Sequence, residues 1–340
     1  MPKPRPEILI QIVTWNSRPY LKTCLDSVIN SNYKDWSLLI IDNGSRDGTV
    51  EFIRTDYPNI SLLENRQNLG FARAHNQGIQ ISDSEYVLVL NPDVILTTDF
   101  LEKIVNGLTE RPDFGSAIGK ILKFNFHDDD LREPVLTKTI DSTGLVIQRN
   151  RRFTNRGEGE SDAGQYDKVH DVFGPSGAVA LYRRSAMADV RLKDEYFDED
   201  FFAYKEDIDL AWRLQKAGWR SVYLPSAVAY HHREAKQAEN ITALKRERRN
   251  RSRFINSYSY KNHLLTLIKN EKLSDFLKDA PWILFFELRK LIFIIVYEPK
   301  TLTATWKFCR QMPSALRKRR LIKGRQSGRD LDIRPWFMRN

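Results

Sequence analysis

The segment Tyr204-Lys205-Glu206-Asp207-Ile208-Asp209-Leu210-Ala211-Trp212-Arg213 puts three carboxylates within four positions at the start of a helix, more than a cap requires. A second acidic motif, Asn91-Pro92-Asp93, stands far upstream behind an apolar run. Two separated carboxylate groups of this kind point to a divalent-metal site and a general base. Hard oxygen ligands suit Mg2+ or Mn2+, which take one or two protein carboxylates plus substrate phosphates. An aspartate such as Asp207, beside Glu206, is suited to abstract a proton from an attacking hydroxyl. His231-His232 offers a neutral imidazole to the same ion. Asp42, followed by Asn43-Gly44-Ser45, can accept hydrogen bonds from a base or ribose, or organise a helix-capping turn. Each motif alone has a structural explanation as a turn, a cap or a surface pair; their combination points to chemistry.

The elements that must position these groups alternate along the chain. Apolar runs at Ile8–Thr14, Trp36–Ile41, Ile60–Leu63 and Tyr86–Leu90 read as strands, and the periodic stretches Pro19–Ser31, Thr49–Tyr57 and Ala72–Ile81 as helices. This alternation predicts βαβ units and a mostly parallel sheet, with ligands beyond the carboxyl ends of its strands. Thr14-Trp15-Asn16, Asp42-Asn43-Gly44-Ser45 and Asn91-Pro92-Asp93 all fall at such ends, so three strand ends are expected to converge on one rim. Between Asn125 and Lys168, with the triplet Asp128-Asp129-Asp130, the pattern weakens into an expected loop or hairpin insertion. Order resumes at Gly174-Pro175-Ser176-Gly177 and the apolar Ala178–Tyr182, followed by a helix over Asp207–Ala217 and a short strand over Ala227–Tyr230. Beyond His232 the chain reads as helical, divided by Pro281, Pro299 and Pro313.

Composition bounds the rest. A chain of 340 residues with 41% hydrophobic content is ample for a packed core. Its formal charge of +10 matches that of the last forty-one residues, where twelve Lys or Arg face Asp330 and Asp332. A second basic run spans Lys245 to Arg253. Such tails imply an anionic partner, lipid headgroups or nucleic acid. Cys24 and Cys309, the two cysteines, argue for neither a disulfide framework nor a zinc site. The Met1–Pro6 start lacks the apolar segment of a signal peptide, and the most apolar window, Pro281 to Val296, is interrupted by Glu287, Arg289 and Lys290. A cytoplasmic location without a membrane span is expected.

With those residues in place, the chain resembles the inverting glycosyltransferases of family 2, which have the GT-A fold, and particularly their bacterial rhamnosyltransferase-like members. The resemblance covers roughly Ile8 to Arg233. It rests on seven motifs in family order: Val13-Thr14-Trp15-Asn16; Asp42-Asn43-Gly44-Ser45; Asn68 through Gly78; Leu90-Asn91-Pro92-Asp93; Gly174-Pro175-Ser176-Gly177-Ala178; Tyr204 through Asp209; and Tyr230-His231-His232. The resemblance implies that Asp42 holds the nucleotide's base or ribose, with Thr14 lining the same pocket and Asn16 nearby. Asn68, Gly70, Phe71 and Arg73 would shape the wall around the nucleotide, and Gly177 and Ala178 would pass close to the sugar. Asp93 matches the last acid of the family's DxD motif and would bind a Mg2+ or Mn2+ that bridges the diphosphate, with His231 or His232 completing the shell. Asp207 matches the catalytic base, and Glu206 beside it joins the donor site. Asn91 replaces the first acid of DxD, and His75 stands on the pocket wall where Asn or Gly is commoner. The Gln-x-x-Arg-Trp motif of processive synthases is missing after Asp207, which implies addition of one sugar.

The resulting expectation is an α/β GT-A domain over residues 1–235 and a basic, amphipathic helical region over 236–340. The implied reaction moves one sugar, first of all L-rhamnose from dTDP-rhamnose, from a nucleotide diphosphate sugar to a saccharide or polyprenyl-linked acceptor. Asn262 through Asn270 resembles a segment that follows the catalytic domain in the same bacterial enzymes. The aromatic and aliphatic residues from Trp282 to Tyr297, with Trp306 and Arg317-Lys318-Arg319-Arg320, suit helices lying on an anionic membrane, here the inner face of the cell membrane. The other possibility for these helices is packing on the catalytic domain. Two rival functions compete. A sugar nucleotidyltransferase would carry a Gly-rich, basic loop after the first strand, where this chain has Trp15-Asn16-Ser17-Arg18. A nucleic-acid-binding protein would leave the acidic rim unexplained, because carboxylates repel phosphate unless a metal intervenes; no nucleic-acid partner is expected.

Overall fold

The computed structural model describes residues 7–127, 133–232, 253–324 and 332–338. The expected domain boundary at residue 235, the basic run at 245–253 apart from the helical backbone of Arg253, and the triplet at 128–130 lie outside them. Strands β1 (Ile8–Thr14), β2 (Trp36–Asp42), β3 (Ser61–Glu64) and β4 (Tyr86–Leu90) form a parallel half-sheet in the order β3-β2-β1-β4. Helices α1 (Arg18–Ile29), α2 (Thr49–Asp56) and α3 (Phe71–Gln80) connect them. After the short β5 (Val94–Leu96) and helix α4 (Phe100–Thr109), the second half continues through β6 (Phe114–Phe126), β7 (Pro134–Ser142), the hairpin β8 (Leu145–Ile147) and β9 (Phe153–Asn155), β10 (His170–Val172) and β11 (Val179–Arg183). Helices α5 (Arg184–Asp189) and α6 (Glu206–Lys216) then lead into β12 (Arg220–His232). The sheet extends from β4 as β11-β6-β12-β10, with β11 antiparallel to both β4 and β6 and β12 parallel to β6.

The apolar runs become strands because both faces of the sheet are covered. On β4, Tyr86, Leu88 and Leu90 face the layer of α1 and α4, while Val87 and Val89 face α3, α5 and α6. Packing holds α1 more than its ends do. Ser17 makes no capping hydrogen bond, a loss of about 1 kcal/mol. Leu21, Leu25 and Val28 are fully buried, a gain of about 1.5–3 kcal/mol each.

Of the stretch expected as a loop or hairpin, β7 joins the main sheet by pairing along the thirteen-residue β6, and β8–β9 forms a separate two-stranded hairpin. The short strand expected at Ala227–Tyr230 is the end of a thirteen-residue β12, interrupted at Pro225 by a register shift between Leu224 and Val228.

Four C-terminal helices follow: α7 (Arg253–Asn270), α8 (Leu273–Tyr297), α9 (Thr303–Gly324) and α10 (Arg334–Met338). None is long and apolar enough to cross a membrane. They are tied to the sheet domain by buried ion pairs. Lys269, itself fully buried, lies between Asp198 and Asp209, and Lys318 pairs with Glu195, Asp198 and Asp200. Burial alone would raise the Asp198 carboxyl, but these two ammonium groups hold it well below the ordinary carboxylate range. Arg151 bonds Glu271 and Asp279 in the same manner between the β8–β9 hairpin and α7–α8. Packing on the sheet domain is therefore observed for α7 and for one side of α8 and α9. Of Arg317-Lys318-Arg319-Arg320, Lys318 and Arg319 turn inward, Arg319 donating to the Ile268 carbonyl, and only Arg317 and Arg320 are exposed. The opposite side of α8 leaves Leu277, Leu284, Leu288, Ile292 and Ile295 exposed along one helical stripe.

Candidate active site

Strand register brings the motifs together. Thr14 and Asp42 end β1 and β2 as paired residues, and Asn91 follows β4 one strand away. Asp42 is 1% exposed, and four donors fill its carboxylate. The Thr14 hydroxyl donates at 2.9 Å, the Gly44 and Ser45 amides at 3.0 and 2.9 Å, and the Ser45 hydroxyl completes the set. Asn16, in the left-handed region at φ 54°, receives the Arg46 amide on its side chain and donates its own amide to the Ser45 hydroxyl. The first two strand ends are thus one rigid rim around Asp42.

The Asn68–Gly78 motif forms the adjoining wall and the start of α3. Asn68 accepts the Gly70 amide at 2.8 Å, and the Gly70 carbonyl accepts from Asn43 on the rim. Gly70 has φ +87°, and a Cβ there would sit 2.6 Å from the Phe202 carbonyl, so only glycine fits. Phe71 is half-buried against His75, with ring centroids 4.2 Å apart. Arg73 is largely exposed and faces Glu199 at 3.7 Å. His75 itself is a correction: it is fully buried, its Nδ1 lies 2.9 Å from the Gln11 amide, and burial pushes its pKa down to about 3. It supports Phe71 from below and is no part of the pocket wall. Asn76 staples α3 to the 196–199 segment, bonding the Tyr196 and Phe197 amides and the Phe197 carbonyl.

Two arms meet across the rim. Asp93 sits one residue before β5, whose pairing with β12 sets Val94 opposite His231. One Asp93 oxygen is buried without a hydrogen-bond partner and lies 3.5 Å from His231 Nε2. His231 Nδ1 lies 2.9 Å from Asp141. Burial alone would depress the imidazole, but Asp93 and Asp141 flank it and hold its pKa up at about 9. An orphaned carboxylate oxygen beside an imidazole nitrogen, backed by a second carboxylate, is the donor set of a carboxylate–histidine–metal arrangement. Among the described residues no cluster of three His, Cys, Asp or Glu side chains forms a metal cage; two protein ligands with substrate oxygens are what Mg2+ and Mn2+ take. His232 points to the other face of β12, its ring 5.1–5.5 Å from Tyr20, Phe124 and Phe126.

On the other arm, Asn91 donates its backbone amide to the Ala178 carbonyl at 2.9 Å, and the next residue back, Gly177, donates its amide to Asp207 at 3.0 Å. A Cβ on Gly177 would lie 3.4 Å from the Asp207 carboxylate. Two hydrogen bonds therefore connect the Asp93 turn to Asp207 through Gly177-Ala178. Glu206 is buried, with one oxygen lacking a partner, and burial together with the Asp207 charge pushes its pKa up to about 8. Asp209, the third acid of the cluster, is not at the site: it is fully buried and bonded to Arg213, Lys269 and Asn270.

The residues missed in the sequence are Asp141, whose partner lies 90 positions away, and the Phe202–Lys205 approach to α6. Phe202, Tyr204 and Lys205 all have positive φ, at 66°, 71° and 76°, which costs about 1–3 kcal/mol each and requires support from the surroundings. The spacing of Asp141 carried no signal, and no residue type in Phe202–Lys205 announces a left-handed turn.

Known proteins resemble this chain in sequence and in fold. Over 258 residues the chain is 30% identical to the N-acetylglucosaminyl-diphospho-decaprenol L-rhamnosyltransferase of Mycobacterium tuberculosis, spanning 65% of this chain and 74% of that protein. Over 232 residues it is 28% identical to the poly-beta-1,6-N-acetyl-D-glucosamine synthase of Staphylococcus aureus, spanning 66% of this chain but 49% of that one. The solved structure of S. aureus TarS superposes with a TM-score of 0.54 at 14% identity, covering 94% of this chain and 88% of that one. The mannosyltransferase PcManGT from Pyrobaculum calidifontis, solved with GDP-Man and Mn2+, gives 0.51 at 17% identity, covering 96% and 88%. At these identities the structures speak for the fold, which is GT-A. Residues 10–191, more than half of the chain and the part that carries the rim around Asp42, the Asp93 turn and Gly177-Ala178, match the family described as Glycosyl transferase family 2, and to that family the chain belongs.

Proposed function

We propose that this chain transfers a single sugar, with inversion, from a nucleotide diphosphate sugar to a saccharide or lipid-linked saccharide acceptor, and that dTDP-L-rhamnose is the first donor to test. The observation that carries the reading is the short bonded path Asn91–Ala178, Gly177–Asp207, which sets the Asp93 turn and Asp207 on one rim. The rhamnosyl assignment draws on the mycobacterial relative's name.

In this reading the nucleotide lies along the rim of Thr14, Asn16 and Asp42 and the wall of Asn68, Gly70, Phe71 and Arg73. Asp42 acts through the loop it organises, because a ribose hydroxyl would have to displace Ser45 to reach it. Asp93 and His231, rather than His232, hold a Mg2+ or Mn2+ with the diphosphate; such an ion supplies charge neutralisation to the leaving group. Asn91 lies beside them and contributes no charge. Gly177 and Ala178 let the sugar approach the backbone. Glu206 is buried, and burial and the Asp207 charge push its pKa up, whereas Asp207 meets the Gly177 amide at the rim, which makes Asp207 the acid of the pair that takes the proton from the acceptor hydroxyl. In-line geometry requires that base and diphosphate face the anomeric carbon from opposite sides.

The test is a donor panel of dTDP-rhamnose, UDP-N-acetylglucosamine and GDP-mannose, with Mn2+ and a polyprenyl-diphospho-N-acetylglucosamine acceptor. Rhamnosyl product bearing one added residue is expected. Transfer from another donor in its place would overturn the rhamnosyl assignment, and a polymer would overturn single addition.

A peripheral position at the inner face of the membrane belongs to the same proposal. The exposed stripe of α8 shares its helix with the exposed Lys278 and Arg289, and basic groups near an anionic surface contribute about 1 kcal/mol each. Sedimentation with phosphatidylglycerol vesicles should carry the protein down at low salt, and Leu288→Glu should release it. Equal recovery with phosphatidylcholine vesicles, or preference for DNA over vesicles, would contradict this.

A further inference from the structure

The C-terminal helices do more than cover the catalytic domain. Asn262, fully buried on α7, donates its side-chain amide to three backbone carbonyls of the segment leading into α6. The distances are 2.9 Å to Phe201, 2.8 Å to Ala203 and 2.7 Å to Tyr204. Its own side-chain oxygen has no hydrogen-bond partner, so the amide group is committed to those carbonyls. Two N–H groups serve three acceptors, one of them shared.

This is the segment whose residues Phe202, Tyr204 and Lys205 adopt left-handed backbone. Such a conformation persists only where the surroundings over-determine it. Its two ends touch two parts of the candidate site: the Phe202 carbonyl accepts the Ala72 amide against Gly70, and Lys205 immediately precedes the helix that carries Asp207. The helix bearing Asn262 is itself fixed to α6, because Asn270 and Lys269, two turns on, bind Asp209.

We propose that Asn262 is a positioning residue for the catalytic base, holding the turn that sets Asp207 against Gly177. The inference rests on the reading of Asp207 as base and adds a role for α7 in the reaction itself. Aspartate at 262 would keep the shape and remove both donors, facing a carboxylate with three carbonyl oxygens. Glutamine would keep the donors on a longer stem.

The experiment compares full-length wild type, Asn262→Gln, Asn262→Asp and Asp207→Asn. Release of dTDP from dTDP-rhamnose gives kcat and KM, dTDP–Mn2+ titration gives nucleotide affinity, and hydrogen exchange of the 200–209 peptide gives a readout that needs no ligand. For Asn262→Asp, kcat is expected to fall about 100-fold with donor KM and nucleotide affinity unchanged, as displacement of a catalytic group does. Exchange in that peptide should quicken, with Asn262→Gln between the two. Asp207→Asn should lose turnover while its exchange stays slow. Equal kcat for the Gln and Asp variants, unchanged exchange, or a loss shared by nucleotide binding would overturn the positioning role. Normal turnover by Asp207→Asn would instead overturn the base assignment, so the two failures are distinguishable. Should Asn262→Asp not fold, the Asn262→Gln variant carries both readouts, with wild-type kcat and exchange counting against the proposal.

Discussion

Asp207→Asn is expected to lower kcat by about 10²–10⁴-fold while leaving nucleotide binding intact, the range general-base help typically supplies. Asparagine preserves the shape and one oxygen that can still accept the Gly177 amide, so the backbone approach at that point survives. What is lost is the group able to take a proton. Glu206 cannot substitute: it is buried, and its elevated pKa reflects burial and its neighbour's charge. Removing Asp207 lowers that pKa without moving the carboxyl to the cleft. Steady-state kinetics with a parallel nucleotide titration check this, and a variant with weakened binding but near-normal kcat would speak against the assignment.

Asp93→Ala is expected to remove metal-dependent donor binding. Loss of several kcal/mol of charge stabilisation corresponds to about 10²–10³-fold in kcat/KM. The neighbouring side chains give the prediction resolution. His231→Ala should behave similarly, whereas His232→Ala, whose ring packs among Tyr20, Phe124 and Phe126, should leave metal affinity unchanged. Asp141→Ala should cost about 10–100-fold in metal affinity through the orientation of His231. Mn2+ titration with dTDP present measures all four. A His232 variant losing metal while the His231 variant keeps it would reverse the proposed ligand set.

The parallel half of the fold was legible because its signals are local. Ile8–Thr14 and Tyr86–Leu90 have the same limits in sequence and structure, and α3 and α6 differ from their expected spans by one residue at each end. Branched apolar runs, punctuated by glycine and Asx residues, leave few alternatives to buried strands. In the second half α6 was legible, whereas β7 and β12 were not, for physical reasons. In β7, Val135 and Leu136 are exposed on an outer strand, and in β12 Pro225 and the adjacent bulge divide one strand into two weak signals. The cluster at 206–209 showed its charge but not its division of labour. On a helix two residues turn through about 200°, so Asp209 lies nearly opposite Asp207, and α7 supplies Lys269 and Asn270 to receive it inside. Arg317-Lys318-Arg319-Arg320 likewise reads as one basic patch, yet Lys318 finds three carboxylates 118 to 123 positions earlier in the chain. Asn262 was visible only within a resembling segment; its three carbonyl partners follow from how α7 docks.

The most direct measurement is a crystal structure of Asp207→Asn with intact dTDP-rhamnose and Mn2+, using the anomalous signal of manganese. Manganese in contact with Asp93 and His231, with the anomeric carbon between the diphosphate and residue 207, is the expected result. Manganese bound elsewhere, or residue 207 on the diphosphate side of the sugar, would contradict it.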